Sequence, residues 1–311
     1  MASVTGQPSA VTDPRPPRRR GVWLLIKRTA AKSWADRILG LSAEAGFWQL
    51  LSLPPLLLVV LGVIGFFGHD LPAGTINDIE KFVLGGAEHV IAPKAVNTLI
   101  RPSLHQVLTN GRADVVSAGF VFALWSGSTA VSTYVNTITI AYNLRDVRSA
   151  VRSRLLALVI FLAGVAIGIV MLPLLVIGPD AIVQWVPDSY EHLVNTLIWI
   201  FYWPIVGIGC VLLLATLYHV AVPVRTPWRR DLPGAVLAMA LWVLGSFGLR
   251  VYLIFVFGHQ SVYGSLASPI AVLLFFYITA LAVLLGAELN AQIDQMWPIS
   301  STSRARRGTR D

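Results

Sequence analysis

The chain has 311 residues, 55% of them apolar and only 13% charged, with a formal net charge of +8. A soluble domain carries about 25% charged residues, and the mean hydropathy here is +0.68. These figures exclude an ordinary soluble enzyme and a disordered chain, and Cys210, the single cysteine, excludes a disulfide scaffold or a cysteine-based metal site.

Residues 1–20, rich in Pro, Ser and Arg, read as a disordered tail. Arg18-Arg19-Arg20 before the apolar run 22–26 imitates a twin-arginine export signal. Lys27 and Arg28 end that run well short of the roughly 7–15 apolar residues a signal needs. Residues 21–42 read as an amphipathic helix. Trp23, Ile26, Ala30, Trp34, Ile38 and Leu41 recur at helical spacing, while Lys27, Arg28, Lys32, Asp36 and Arg37 fall elsewhere. Such a helix lies in the membrane interface and attracts anionic lipid; a solvated lead-in to the first span is the other reading.

A membrane-spanning helix needs about 20 mostly apolar residues. Six stretches qualify: 45–68, 115–144, 155–179, 193–224, 232–258 and 261–287. They are continuously apolar rather than alternating, so barrel strands are not expected. The predicted fold is all-α, a polytopic six-helix transmembrane bundle occupying 43–292, followed by a basic tail at 293–311. Loop 69–114 is the only long connection. Thr75 and Asp78 at capping spacing, Pro93 as a helix start and Asn110-Gly111 as a stop predict two short amphipathic helices there.

Cations set the orientation. The segment before the first span, the turns after the second and fourth spans, and the tail hold 19 of the 24 Lys and Arg residues. Lys81, Lys94, Arg101 and Arg112 are the four expected on the other side. The 19-residue side is expected to be cytoplasmic, with both termini on it.

Polar residues within apolar spans usually face protein or water. Arg250 lies about 27 Å along the fifth span, near its outer end. It either snorkels outward or binds an anionic group there. Glu288 and Glu44 lie near the inner ends of the sixth and first spans, where a proton-coupled carboxylate, a shared vestibule and simple ion pairing are open readings. In the second span, Ser126, Ser128, Thr129, Ser132, Thr133, Asn136 and Thr137 cover about half the circumference. They either line a hydrated cavity or pack against neighbouring helices through hydroxyl bonds. Pro54, Pro55, Pro173 and Pro204 predict kinks or broken segments, and Gly164 with Gly168 predicts a close helix contact.

The run Ser261-Val262-Tyr263-Gly264-Ser265-Leu266-Ala267, followed by Gly286-Ala287-Glu288-Leu289-Asn290, resembles the YihY/BrkB family of bacterial inner-membrane proteins. Leu50-Leu51-Ser52-Leu53-Pro54-Pro55-Leu56-Leu57 in the first span and Trp125-Ser126, Asn136 and Arg145 around the second add to it. The resemblance covers about residues 43–292. Phe275-Phe276-Tyr277 departs from it, where a Trp before the Tyr is expected, and Arg250 is not assigned by it. It implies six spans in the bacterial inner membrane and no settled activity. Some members carry the label ribonuclease BN, and movement of lipid-like molecules has been suggested for others.

Metal-dependent RNA hydrolysis needs clustered His, Asp or Glu ligands. None of His69, His89, His105, His192, His219 and His259 sits in an HxH, HxxxH or HxE pattern. No cofactor and no nucleic-acid partner is expected. The leading functional expectation is a transporter or exporter of lipid-like or small amphipathic molecules. Its candidate polar residues are Glu44, Ser128, Ser132, Asn136, Arg250, Tyr263, Gly264, Glu288 and Asn290. The alternative is a non-catalytic scaffold or envelope-maintenance protein. A membrane-bound hydrolase or nuclease ranks last. Expected partners are membrane lipids, anionic at the N-terminal basic helix, with self-association left open. A cavity among the second, fifth and sixth spans reaching Arg250 favours transport, and tight packing of Ser128, Ser132 and Asn136 favours the scaffold.

Overall fold

The computed structural model describes residues 18–66, 84, 113–144, 147–183, 191–257, 267–298 and 301–303. The expected surface helices near Thr75 and Pro93, the tails at 1–17 and 304–311, and Tyr263 and Gly264 lie outside them. The described residues form α-helices and short turns with no strand. The helices are α1 (Arg18–Ala35), α2 (Ile38–Phe66), α3 (Ala113–Ala141), α4 (Ala150–Val183), α5 (Glu191–Ala221), α6 (Leu232–Phe257) and α7 (Ala267–Met296). A 3-10 turn at Trp228–Arg230 joins α5 to α6. By length and composition, stretches of α4, α5, α6 and α7 suffice to cross a membrane: Ala150–Ile169, Phe201–Ala221, Trp228–Phe255 and Pro269–Met296.

Local chemistry sets the helix ends. The amphipathic stretch expected at 21–42 is divided, because Arg37 takes a left-handed φ of 57°. Its N–H bonds the Trp34 carbonyl, which closes α1, and α2 starts one residue later. Asn143, with φ 55°, ends α3 in the same way. The Leu144 N–H reaches back to the Thr139 carbonyl at 2.9 Å, the long bond of a Schellman stop, and Asn is the residue type that tolerates this conformation. The prolines do not interrupt their helices: Pro54 and Pro55 lie inside α2, and Pro204 lies inside α5. Pro173 lies within α4.

Helix α7 is the central element, packed on α6, α2, α1 and α3. Its partner α2 crosses at Gly46, where an added Cβ would stand 3.0 Å from the Tyr277 backbone nitrogen. One core joins Val135, Ile138 and Leu144 to Tyr218, Val222, Ala235, Ala287 and Ala291. A second joins Ile38, Ala45, Tyr134, Ala280 and Leu284. Large apolar side chains point outward along α4, α5 and α6, among them Leu155, Val159, Ile205, Phe247 and Phe255. Contiguous exposure of this kind marks a lipid-facing surface. Gly164 belongs to it: an added Cβ there meets nothing within 4 Å, so Gly164 makes no close helix contact among the described residues.

The orientation of α1 follows the same logic. Gly21, Thr29 and Ser33 are buried, while Val22, Trp23, Ile26 and Trp34 are exposed. Its small and hydroxylated face packs inward, chiefly on α7, and its aromatic face points away from the bundle. Lys27 lies over the Trp23 ring, 5.6 Å from its centroid.

Candidate functional site

Polar side chains concentrate in three places. The first is the basic end of the bundle, where α3 and α5 finish, α6 begins and α7 ends. Asn290 of α7 caps α6 from outside that helix. Its Oδ1 accepts the Gly234 N–H at 2.7 Å, and its Nδ2 donates to the Asp231 carbonyl at 2.9 Å. A first-turn helix N–H has no partner within its own helix, so a neighbouring amide serves as the cap. Two glycines allow this approach. An added Cβ at Gly234 would fall on the Gly286 carbonyl and the Asn290 amide, and one at Gly286 would fall on the Gly234 carbonyl and the Tyr218 hydroxyl. The Gly286–Asn290 run therefore joins a glycine contact to a cap one turn later.

Around this clamp the bonds continue. The Tyr218 hydroxyl donates to the Val283 carbonyl at 2.7 Å. Asp231 faces His219 Nδ1 at 3.3 Å and accepts the Tyr142 hydroxyl at 3.5 Å. Arg230 donates to Asp294 at 3.3 Å and to the Trp297 carbonyl at 2.7 Å, and Thr302 donates to the same Asp294 carboxylate. Asp231, His219 and Tyr142 were not selected from sequence. Asp231 carries a readable signal, since it stands just before Leu232-Pro233 in helix N-cap position.

The second place is the polar face of α3, which divides into two. Ser126, Ser128, Thr133 and Thr137 are buried. Their hydroxyls bond carbonyls of the preceding turn: Ser126 to Phe122 at 2.7 Å, Ser128 to Trp125 at 3.2 Å, Thr137 to Thr133 at 2.7 Å. This is the usual way a helix satisfies a buried hydroxyl. Ser128 is thus part of the packing. Ser132 is half-buried and Asn136 is exposed, and Asn136 Nδ2 lies 3.4 Å from the Ser132 hydroxyl.

This open stripe of α3 lies between α2 and α4, both packed on α3. On the α2 side, exposed Glu44 accepts the Thr133 hydroxyl at 3.3 Å. Trp48 meets half-exposed Trp125 edge to face, with centroids 5.3 Å apart. On the α4 side, half-buried Arg154 donates to the Thr129 hydroxyl at 2.8 Å and to the Trp125 carbonyl at 3.4 Å. Thr129 and Thr133 are one helical turn apart, so the cation and the carboxylate are fixed to sites separated by about 6 Å along α3. Thr129 lies roughly 18 Å from the Ala141 end of α3. Arg154 was counted from sequence among the turn cations. Its position directly before the apolar run at Leu155 was the available signal.

The third place is the α1–α7 contact. Glu288 is completely buried, and the Asp36 carboxyl of α1 lies against it. Asp36 and Lys32 of α1 are the charged groups facing it. Lys32 Nζ holds both Asp36 oxygens at 2.5 Å. Glu44 and Glu288 therefore serve different surroundings, Glu44 at α3 and Glu288 beneath α1.

Arg250 is exposed near the far end of α6. Among the described residues α3 and α6 are not packed side by side, and α7 packs on both of them. Among the described residues no three His, Cys, Asp or Glu side chains gather as a metal-binding group.

The chain is similar to the ribonuclease-like protein YfkH of Bacillus subtilis (strain 168), 29% identical over 252 residues, covering 80% of this chain and 88% of that protein. It is 24% identical over 265 residues to the UPF0761 membrane protein VSAL_I2938 of Aliivibrio salmonicida, covering 84% and 80% of the two chains. It is 32% identical over 103 residues to a UPF0761 membrane protein of Tolumonas auensis, covering 33% of each. No solved structure matches it significantly. The family model described as Virulence factor BrkB matches residues 29–310, and with nearly the whole helical bundle inside that match, the chain belongs to the BrkB family of membrane proteins.

Proposed function

We propose that this chain is a six-span inner-membrane protein, both termini cytoplasmic, that binds and moves lipid-like or small amphipathic molecules along the open stripe of α3. One observation carries the reading. Arg154 and Glu44 are bound to Thr129 and Thr133 at adjoining turns of a stripe that is partly exposed, with Trp48 and Trp125 beside it. A cation and an anion at this spacing match a zwitterionic headgroup, and the indoles give an apolar tail a surface to lie on. A polar stripe facing hydrocarbon alone is unfavourable, so a ligand with a polar head answers a need that packing leaves open.

The experiment is translocation of a tail-labelled phosphatidylethanolamine in vesicles reconstituted with the full chain. Arg154→Ala and Glu44→Gln are expected to slow it at least tenfold while protein incorporation stays unchanged. Wild-type vesicles no faster than protein-free vesicles, or variants as fast as wild type, would sink the proposal.

A scaffold without transport is the second reading, favoured by the back-bonded hydroxyls of Ser126, Ser128 and Thr137. It expects no translocation in any variant. The ribonuclease-like wording belongs to the Bacillus subtilis relative. The absence of a catalytic cluster in the sequence places hydrolysis last.

A further inference from the structure

Helix α1 has three sides rather than the two that its sequence suggests. Successive residues turn by about 100° around a helix. Thr29 and Ser33 are buried on the first side, where α1 meets the bundle, chiefly at α7. Trp23, Ala30 and Trp34 fall within about 40° of one another on the second side, with Ile26 next to them, and all four are exposed. Lys27, Ala31, Ala35 and Arg28 occupy the arc between the aromatic side and the bundle, and they are exposed as well. An apolar side and a cationic side are thus both left over once the bundle contact is made.

The apolar side calls for an apolar neighbour. Trp23 is 67% exposed and Trp34 78%, and large apolar side chains gathered on one face mark a contact surface. Charge selects the partner. Asp36 is the only acid between Gly21 and Gly40, and Lys32 occupies it. Lys27 and Arg28 make no ion pair among the described residues. Exposed Arg37, at the turn into α2, adds a third cation in the same position. Lys27 lies over the Trp23 ring, so an ammonium stands at the border of the apolar side. Indoles at an apolar border with cations beside them are the pattern of a helix lying in a membrane interface. A second copy of the chain fits less well, because a two-fold contact through this face would bring identical unpaired cations together.

We propose that the Trp23–Trp34 face of α1 is a docking surface for anionic phospholipid, with Lys27 and Arg28 binding the phosphates and Trp23, Ile26 and Trp34 entering the acyl boundary. Lys32 takes no part, since Asp36 holds it on the bundle side. Helix α1 is then fastened twice, to α7 by its small and hydroxylated side and to the leaflet by the other two. The surface goes beyond the lipid-moving reading and stands without it. Arg154→Ala is expected to leave it intact.

The test uses the full chain carrying Cys210→Ala and Ile26→Cys, with a bimane label on the new thiol. It is reconstituted in nanodiscs of phosphatidylcholine and phosphatidylglycerol in equal amounts. Bromine, which quenches bimane on contact, is placed on the acyl chains of one lipid or of the other. Brominated phosphatidylglycerol is expected to quench at least about twofold more than brominated phosphatidylcholine, since each cation near an anionic leaflet is worth about a fivefold preference. Lys27→Gln with Arg28→Gln should bring the two lipids close to equality. Arg225→Gln with Arg229→Gln removes two exposed cations at the α5–α6 turn and should keep the preference. No quenching by either lipid overturns the surface, because protein or water then covers the face. Equal quenching by the two lipids in the otherwise unsubstituted chain overturns it, as does a preference that survives Lys27→Gln with Arg28→Gln. A preference lost as fully in the Arg225→Gln, Arg229→Gln protein also overturns it. If the Lys27→Gln, Arg28→Gln protein does not fold, an undiminished preference in both single variants overturns it instead.

Discussion

Glu288 and Asn290 stand two residues apart on α7, 0% and 2% exposed, and meet opposite fates. Two helical steps rotate a side chain by about 200°, so they address opposite sides of α7. Asn290 faces α6, where both ends of its amide are bonded. Glu288 faces α1, where the Asp36 carboxyl and the Lys32 ammonium meet it. Equal burial thus hides two kinds of polarity. One pairs an amide with two backbone groups, and the other sets a carboxyl against a carboxyl. The last turns of α7 are an amide clamp on one side and a carboxyl contact with α1 on the other.

The clamp side should be the more fragile. Gly234→Ala puts a methyl group on the Gly286 carbonyl and the Asn290 amide, neither of which is the far end of a flexible chain. The backbones of α6 and α7 must separate, and overpacking of this kind costs about 3 kcal/mol. The expected result is a sharp drop in monodisperse protein and in the thermal midpoint. Gly164→Ala is the matched control, because its methyl group enters open space. A Gly234→Ala protein as stable as the Gly164→Ala protein would break the clamp.

Asn290→Leu comes next. It leaves the buried Gly234 N–H without its partner and takes from the Asp231 carbonyl one of two donors, the Ala235 N–H remaining. The expected loss is about 2 kcal/mol, read from thermal unfolding in detergent. Glu288→Gln should cost less, under about 1 kcal/mol, because the amide has the size of the carboxyl and can still donate to the Asp36 carboxyl that faces it. Its effect should fall on function rather than on folded yield. Equal destabilisation by the two substitutions would erase the distinction between the two sides of α7.

How far the sequence carried this division depends on the kind of signal. Long apolar runs mark α2 to α7, each of which overlaps its expected stretch, and α4 to α7 hold the four stretches long and apolar enough to cross a membrane. The boundary between α1 and α2 was not legible, since Arg37 adopts a left-handed turn that its residue type does not announce. The Gly286–Asn290 motif was visible, but the use of its first and last residues depends on Gly234, more than fifty positions away, and no local pattern reports that distance. Arg154 was hidden for a similar reason. Counting cations by loop assigns it to a turn, whereas the guanidinium spans to α3, and reach is a property of packing. The polar half of α3 posed a choice between cavity and packing, and the answer is divided by face: Ser128 inward, Asn136 outward.

The smallest expected effect belongs to Arg250. It is exposed, some 27 Å along α6 from Leu232, and none of the bonds of the clamp, the α3 stripe or the α1–α7 contact passes through it. A long cationic side chain near a helix end reaches the headgroup region on its own, at little cost to the helix. Arg250→Ala is therefore expected to change stability by less than about 0.5 kcal/mol, the range of an ordinary surface substitution. Lipid translocation should stay within twofold of wild type, whereas Arg154→Ala should lose most of it. Both arginines lie on lipid-facing helices, so the pair separates two causes. If any cation on that surface suffices to attract lipid, the two substitutions should act alike. If the headgroup is held between Arg154 and Glu44, only Arg154→Ala should act. A loss in Arg250→Ala as large as in Arg154→Ala would move the site from the α3 stripe to the outer end of α6.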